Sequence, residues 1–308
     1  MKKKLFFVLG LLMAVVVQAQ TYWNGTSNKV FSGSGTQTDP YLIGTAEQLA
    51  GLAERTNVDK EDFAGQYIKL TADIYLTNFN DPDTANWKEW TAPIARTDRH
   101  SQSGGGSVTI LYYFRGHFDG DGHTIYNMYY NGGAGWGNDW DPSDPLFDPA
   151  AFLGNLDFNA MNNALFGNVE GGTVENLNMA NARLCGINKT SFLANKTTDN
   201  AVIRNCHVQG EFRGATMDPA GLVALNGGLI ENCSANINMD ITSTPGIGSS
   251  IGAGLVFENQ HDGIIRNCTA TGIINAFGTS YGVAACGFVQ DNYGLVEKKP
   301  SLIYYYRR

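Results

Sequence analysis

The sequence predicts an all-β fold: a right-handed parallel β-helix solenoid with a short N-terminal capping helix. Three observations carry this reading. One phrase recurs as Val174-Glu175-Asn176-Leu177, Ile203-Arg204-Asn205-Cys206, Ile230-Glu231-Asn232-Cys233 and Ile265-Arg266-Asn267-Cys268, at intervals of 29, 27 and 35 residues. A unit of that length cannot bury its own apolar side and has to stack on its neighbours. Between the phrases, apolar residues come in short runs cut by Gly and Asn and rich in Val, Ile and Thr, which suits short strands and not amphipathic helices. Finally, 37 Gly and 29 Asn in 308 residues supply the turn positions that short strands need.

The chain opens with Lys2, Lys3 and Lys4, an apolar run from Leu5 to Val17, and small residues at Val17 and Ala19. That is the pattern of a secretory signal peptide spanning residues 1–19. The run falls short of the ~20 apolar residues that cross a bilayer. The expected location is therefore exported (cell surface, periplasmic or extracellular), with no transmembrane segment after signal removal. The formal net charge is −8, and loss of three lysines with the signal makes the remainder more acidic. An acidic surface excludes a nucleic-acid partner.

Residues 20–58 read as an N-terminal strand and the capping helix. Thr45 is the expected N-cap, Gln48 completes a capping box, and Leu49, Leu52 and Ala53 form one apolar face ending near Thr56. Such a helix would cover the open apolar end of the coil. Residues 59–163 are expected to form the first coils. Ile68, Leu70, Ala72, Ile74 and Leu76 alternate on one face, Val108 to Phe118 and Thr124 to Tyr130 are strand-like, and residues 118–125 contain a tight turn. Residues 131–163 read as a long loop insertion.

Residues 164–297 hold the repeat coils. About ten residues before each Asn phrase stands a second one: Leu165-Phe166-Gly167, Phe192-Leu193-Ala194, Gly221-Leu222-Val223, Gly254-Leu255-Val256 and Gly287-Phe288-Val289. The last leads to Gly294-Leu295-Val296-Glu297, the start of a fifth copy. Asn176, Asn205, Asn232 and Asn267 are expected to stack, inward or at a turn, passing amide hydrogen bonds from rung to rung. Cys206, Cys233 and Cys268 share their place with Leu177, so the site is apolar and inward. Stacked Cβ atoms lie ~4.8 Å apart, beyond the ~3.5–4.5 Å of a disulfide. These are expected to be buried free thiols, and the cysteine spacings fit no zinc site.

Residues 298–308 break the pattern. They read as a basic, aromatic, non-repeat tail, either a truncated end of a longer surface protein or a segment folding over the last rung.

A family resemblance rests on Gly33 to Ile43, on Phe63-Ala64-Gly65-Gln66-Tyr67-Ile68-Lys69-Leu70, on Phe114 to Ile125 with its Phe118-Asp119-Gly120-Asp121-Gly122-His123-Thr124 stretch, and on Leu165 to Leu177. Together these resemble secreted GLUG-motif β-helix proteins of Bacteroidota, over about residues 33–297. Val223, Val256 and Val289 depart from the motif where Gly167 keeps it. The resemblance implies a surface or secreted location and an adhesin-like use, and it implies no catalytic residue. The repeat also occurs in immunoglobulin A-specific metallopeptidases. None of His100, His117, His123, His207 and His261 opens a His-Glu-x-x-His motif, so that activity is not expected here.

Other chemistry is weakly signalled. Two Gly-x-Ser-x-Gly matches, at Ser250 and Ser280, lack the strand-to-helix turn of a nucleophile elbow. Asp199, Asp218, Asp240, Asp262 and Asp291 are scattered and read as turn residues, and so are Asp119 and Asp121. No metal, cofactor or catalytic residue is expected. The segment least like scaffold is the 131–163 insertion. Trp136, Asp139, Trp140 and Asp141 are its candidate binding residues, because indole faces beside carboxylates suit a sugar ring. Its aromatic residues would equally suit packing onto the coil.

The function expected is a non-catalytic, exported, adhesin-like binding module that recognises a glycan or host surface protein. A polysaccharide-acting lyase or glycosidase is the first alternative, and a structural stalk the second.

Overall fold

The computed structural model describes residues 20–101, 107–131, 163–185, 189–214, 218–242, 250–277, 282–297 and 302–307. The signal segment 1–19 lies outside these. The fold is a parallel β-helix whose rungs visit three faces in turn.

The first face runs through Tyr41–Ile43, Tyr67–Leu70, His117–Asp119, Thr173–Glu175, Val202–Arg204, Leu229–Glu231, Ile264–Arg266 and Leu295–Glu297. The second face holds Ile74–Tyr75, Thr124–Tyr126, Asn178–Leu184, His207–Gly214, Ser234–Thr242, Thr269–Phe277 and Leu302–Arg307. The third holds Phe166–Glu170, Ala194–Thr198, Val223–Asn226, Val256–Asn259 and Val289–Asn292. All pairs within these faces are parallel, as rungs of one coil must be.

The start of the coil is closed as the sequence predicts. A helix spans Ala46–Asn57, and the Thr45 side chain accepts from the Gln48 N–H. The reciprocal bond differs from a capping box, because Gln48 Oε1 accepts from Gly44 N–H and not from Thr45. Leu49 and Leu52 are fully buried in the same cluster as Ile43, Leu70 and Ile74. Across the helix lies the strap of residues 20–30. A Cβ at Gly51 would meet the Asn28 carbonyl oxygen at 2.0 Å, so only glycine lets the strap pass.

Several strand expectations are corrected. The alternation from Ile68 to Leu76 is two strands on different faces, with Ala72 half-buried at the corner between them. Val108 to Phe118 is not one strand either. Ser107–Leu111 pairs antiparallel with Thr97–Ser101, forming a hairpin inserted between Ile94 and Phe114. These two bridge Phe166 and Val169, so the hairpin interrupts a rung of the third face. Thr124–Tyr126 and Tyr129–Tyr130 are likewise separate, broken at Asn127 with φ 59°.

Four copies of the second phrase stack as aligned, and the Leu165-Phe166-Gly167 copy alone is offset by one residue. Phe166, Ala194, Val223, Val256 and Val289 stack. Val223, Val256 and Val289 therefore match Phe166 and not Gly167. Inward position, and not identity of letters, sets the register.

After Glu297 the coil pattern does not end. Leu302–Arg307 pairs with Ala270 to Asn275 as a further strand of the second face. Tyrosine and isoleucine satisfy the strand preference that the broken motif hid.

Two asparagine ladders run along the coil. The predicted one is outside, at the turn after the first face. Asn176, Asn205, Asn232 and Asn267 all have φ between 51° and 55°, the left-handed region Asn tolerates. Asn205 Nδ2 donates to Asn176 Oδ1 (3.0 Å), and Asn267 Nδ2 to Asn232 Oδ1 (3.2 Å). A second ladder is internal. Thr197 Oγ1 donates to Asn226 Oδ1 (2.7 Å), Asn226 Nδ2 to Asn259 Oδ1 (2.8 Å), and Asn259 Nδ2 to Asn292 Oδ1 (2.8 Å). Asn226 and Asn259 are fully buried.

Cys206, Cys233 and Cys268 are buried free thiols above Leu177, as expected. Burial pushes the Cys233 thiol up, away from the reactive thiolate. Outside the first face stands a column of charge. Glu175, Arg204, Glu231, Arg266 and Glu297 follow in register. Arg204 Nε lies 2.6 Å from Glu175 Oε2, and Arg266 pairs with both Glu231 and Glu297.

Candidate ligand-binding cleft

Asp73-Ile74-Tyr75 and Thr124-Ile125-Tyr126 are adjacent rungs, with Ile74 opposite Ile125 and Tyr75 opposite Tyr126. The isoleucines are buried, so strand alternation turns both tyrosines outward. Their rings stack at 4.7 Å between centroids with 5° between planes. Tyr22 comes from the strap, which is anchored by Trp23 N–H donating to the Tyr75 carbonyl (2.9 Å). Its ring meets Tyr75 edge-on at 6.1 Å.

A cleft of about 400 Å³ opens where strap, helix start and first rungs meet. Tyr22 and Tyr75 line it with their rings, Gln20, Thr21 and Thr45 offer polar groups, and Glu47 and Asp73 supply carboxylates. Asp73 Oδ1 accepts from Thr124 N–H (3.0 Å) and lies 3.3 Å from His123 Nδ1. Burial, then the neighbouring Tyr126, Asp73 and Tyr22, holds the Tyr75 phenol above its ordinary pKa, so it remains a neutral hydroxyl. Flat rings flanked by hydroxyls and carboxylates are the chemistry that receives a sugar: apolar C–H faces meet rings and hydroxyls find acceptors.

A smaller cleft of about 210 Å³ lies towards the helix end, lined by Trp23, Trp90, Glu54, Asn57 and Arg96. The two indoles approach at 5.6 Å. The strap divides the two clefts, since Asn28 N–H donates to the Glu47 carbonyl (2.7 Å).

The residues singled out from sequence for binding, Trp136, Asp139, Trp140 and Asp141, lie outside the described residues. The insertion is rooted near the smaller cleft: Asn163 Nδ2 donates to the Trp90 carbonyl (2.8 Å), and Trp90 N–H donates to the Tyr129 carbonyl (2.7 Å). Sequence reasoning missed Tyr22, Glu47, Asp73 and Tyr75. The signal present was the repeated Ile-Tyr pair at 74–75 and 125–126, masked by a hairpin that stretches that turn of the coil.

The acids behave unevenly. Asp121, with φ 49°, is a turn residue as expected, and Asp119 Oδ1 accepts its N–H (2.9 Å). Asp199 also sits at positive φ. Asp240 and Asp291 instead belong to strands. Asp218 is half-buried, and burial lifts its carboxyl to about 6. Lys189 opposes this shift, while Asp291 and Glu258 add to it. Scattered in sequence, Glu258 and Asp291 act on Asp218 because the rungs stack.

A carboxyl raised on folding contributes its stability fully below its unfolded value of ~4 and loses it as pH rises through about 6. Asp218→Asn should therefore raise stability at pH 7 by on the order of 1 kcal/mol after solvent screening, with no gain at pH 4. Thermal melts at the two pH values check this, and an equal change at both would contradict it. Among the described residues, no group of three or more His, Cys, Asp and Glu is placed to hold a metal ion. Among them, too, no helix is long and apolar enough to cross a membrane.

No protein-family model matches the sequence, and no curated protein matches it. Among solved structures, the chain is similar to a Bacteroides ovatus protein described as a "putative immunoglobulin A1 protease". Identity is 18%, the match covers 89% of this chain and 79% of that one, and the TM-score is 0.46.

Proposed function

We propose that the chain is an exported, adhesin-like β-helix module of the GLUG-motif type found in Bacteroidota, binding a surface glycan without catalysis. The observation that carries this reading is the tyrosine-walled cleft, where Tyr22 of the strap and the outward Tyr75 meet hydroxyl and carboxylate groups at the capped end. A glycan array probed with the purified chain tests it. Binding is expected, and Tyr75→Ala or Tyr22→Ala should weaken it about tenfold, equivalent to ~1.4 kcal/mol. If Trp136→Ala and Trp140→Ala abolish binding while the tyrosine variants do not, the site belongs to the insertion and not to the cleft. A second reading, polysaccharide cleavage, draws on Asp218, whose raised carboxyl beside Glu258 and Asp291 has the character of a general acid. New reducing ends released from an acidic polysaccharide, and lost in Asp218→Asn, would favour that reading.

A further inference from the structure

We propose that the tyrosine-walled cleft selects a sugar carrying a free amine, an unacetylated hexosamine, over neutral and acidic sugars. This rests on the glycan-binding reading above and adds the charge class of the ligand.

The cleft joins two features that separately suit different ligands. Its volume of about 400 Å³ accommodates a sugar unit. Its charge is one-sided. Glu47 and Asp73 line it, and no lysine or arginine does so among its described residues. The nearby basic group is His123, whose Nδ1 is directed at Asp73 at 3.3 Å. Tyr22 and Tyr75 line the same cleft, and Tyr75 is backed by Tyr126 at 4.7 Å. A cationic group that reaches both the carboxylates and an electron-rich ring gains from each, by Coulomb attraction and by cation–π contact. A uronic or sialic acid would place its carboxylate against Glu47 and Asp73, in a lining that offers it no lysine or arginine. An N-acetylated sugar keeps the ring contacts and loses the charge.

An amine on a lysine side chain shares the ammonium. Its bare methylene stem, however, leaves Gln20, Thr21 and Thr45 unanswered, whereas a sugar's hydroxyls match them. The geometry thus favours the amino sugar over a basic peptide.

The test is titration calorimetry of the full chain at pH 6 with four defined probes: glucosamine tetrasaccharide, N-acetylglucosamine tetrasaccharide, galacturonic acid tetrasaccharide and tetralysine. The expected order puts the free-amine sugar at least tenfold tighter than its acetylated form, with the uronic acid and the peptide weaker still. Asp73→Asn and Glu47→Gln should each pull the ratio of free-amine to acetylated affinity towards one, with melting temperatures confirming that the variants fold. Acetylated sugar binding as tightly as free amine, in a Tyr75-dependent way, overturns the amine preference and leaves the glycan reading standing. Tetralysine binding tightest overturns it in favour of a peptide amine. Failure of all four probes overturns it as well, and the array then decides the broader reading independently.

Discussion

Asn226→Ala is expected to be among the most damaging single substitutions in the coil, lowering stability by about 3–5 kcal/mol. The side chain is fully buried and serves three partners at once. Its Oδ1 accepts from Thr197 Oγ1 (2.7 Å) and Gly228 N–H (3.2 Å), and its Nδ2 donates to Asn259 Oδ1 (2.8 Å). Alanine strips all three in a place water does not reach, and each orphaned group costs ~1–3 kcal/mol. Asn259 would keep its bond to Asn292, so the damage is centred on one rung boundary and is not spread along the coil. A melting temperature lower by roughly 10 °C is the readout. Asn236→Ala is the control: this residue is an exposed outward strand position, expected to stay within ~0.5 kcal/mol of wild type. Equal melts for Asn226→Ala and Asn236→Ala would show that the internal ladder contributes nothing.

Leu49→Asp should have an effect of similar size by another route. Leu49 sits fully buried between the capping helix and the first rungs. A carboxylate there has no partner and is expected to cost more than ~4 kcal/mol. The helix would detach, exposing Ile43, Leu70 and Ile74 and loosening the edge of Tyr41–Ile43, which is bridged at Leu42 by its N–H donating to the Ser32 carbonyl (2.8 Å). An uncovered strand edge recruits other chains. Size-exclusion chromatography should therefore show oligomers where the wild-type chain runs smaller, and the tyrosine-walled cleft should vanish with its helix wall. A variant that stays unassociated with an unchanged melt would mean the helix is not what closes the coil.

Much of the architecture was legible because a solenoid writes its geometry locally. The phrase around Asn176, Asn205, Asn232 and Asn267 marks successive rungs, since one backbone turn at positive φ demands the same residue each time. Thr45 and Gln48 announced the helix for an equally local reason. What failed to show was whatever depends on which turn stacks on which. The hairpin at 97–111 lengthened one turn and hid the pairing of Tyr75 with Tyr126. The internal Thr197–Asn226–Asn259–Asn292 ladder was visible only as a recurring Asn at the end of short apolar runs, indistinguishable from a loop residue until its burial was known. Asp218, Glu258 and Asp291 lie in different repeats, and only register brings their charges within reach of one another. The strap residue Tyr22 carries no periodic signal at all.

The charge column beside the first face has an evolutionary consequence. Its sign reverses at every step from Glu175 through Arg204, Glu231 and Arg266 to Glu297. Deleting or duplicating one coil would set glutamate against glutamate or arginine against arginine, while deleting or duplicating two would restore the alternation. The same column already tolerates one like-charged step, Asp119 beside Glu175, and exposed pairs contribute only ~0–1 kcal/mol each, so a change by one unit carries a small electrostatic penalty that a change by two avoids.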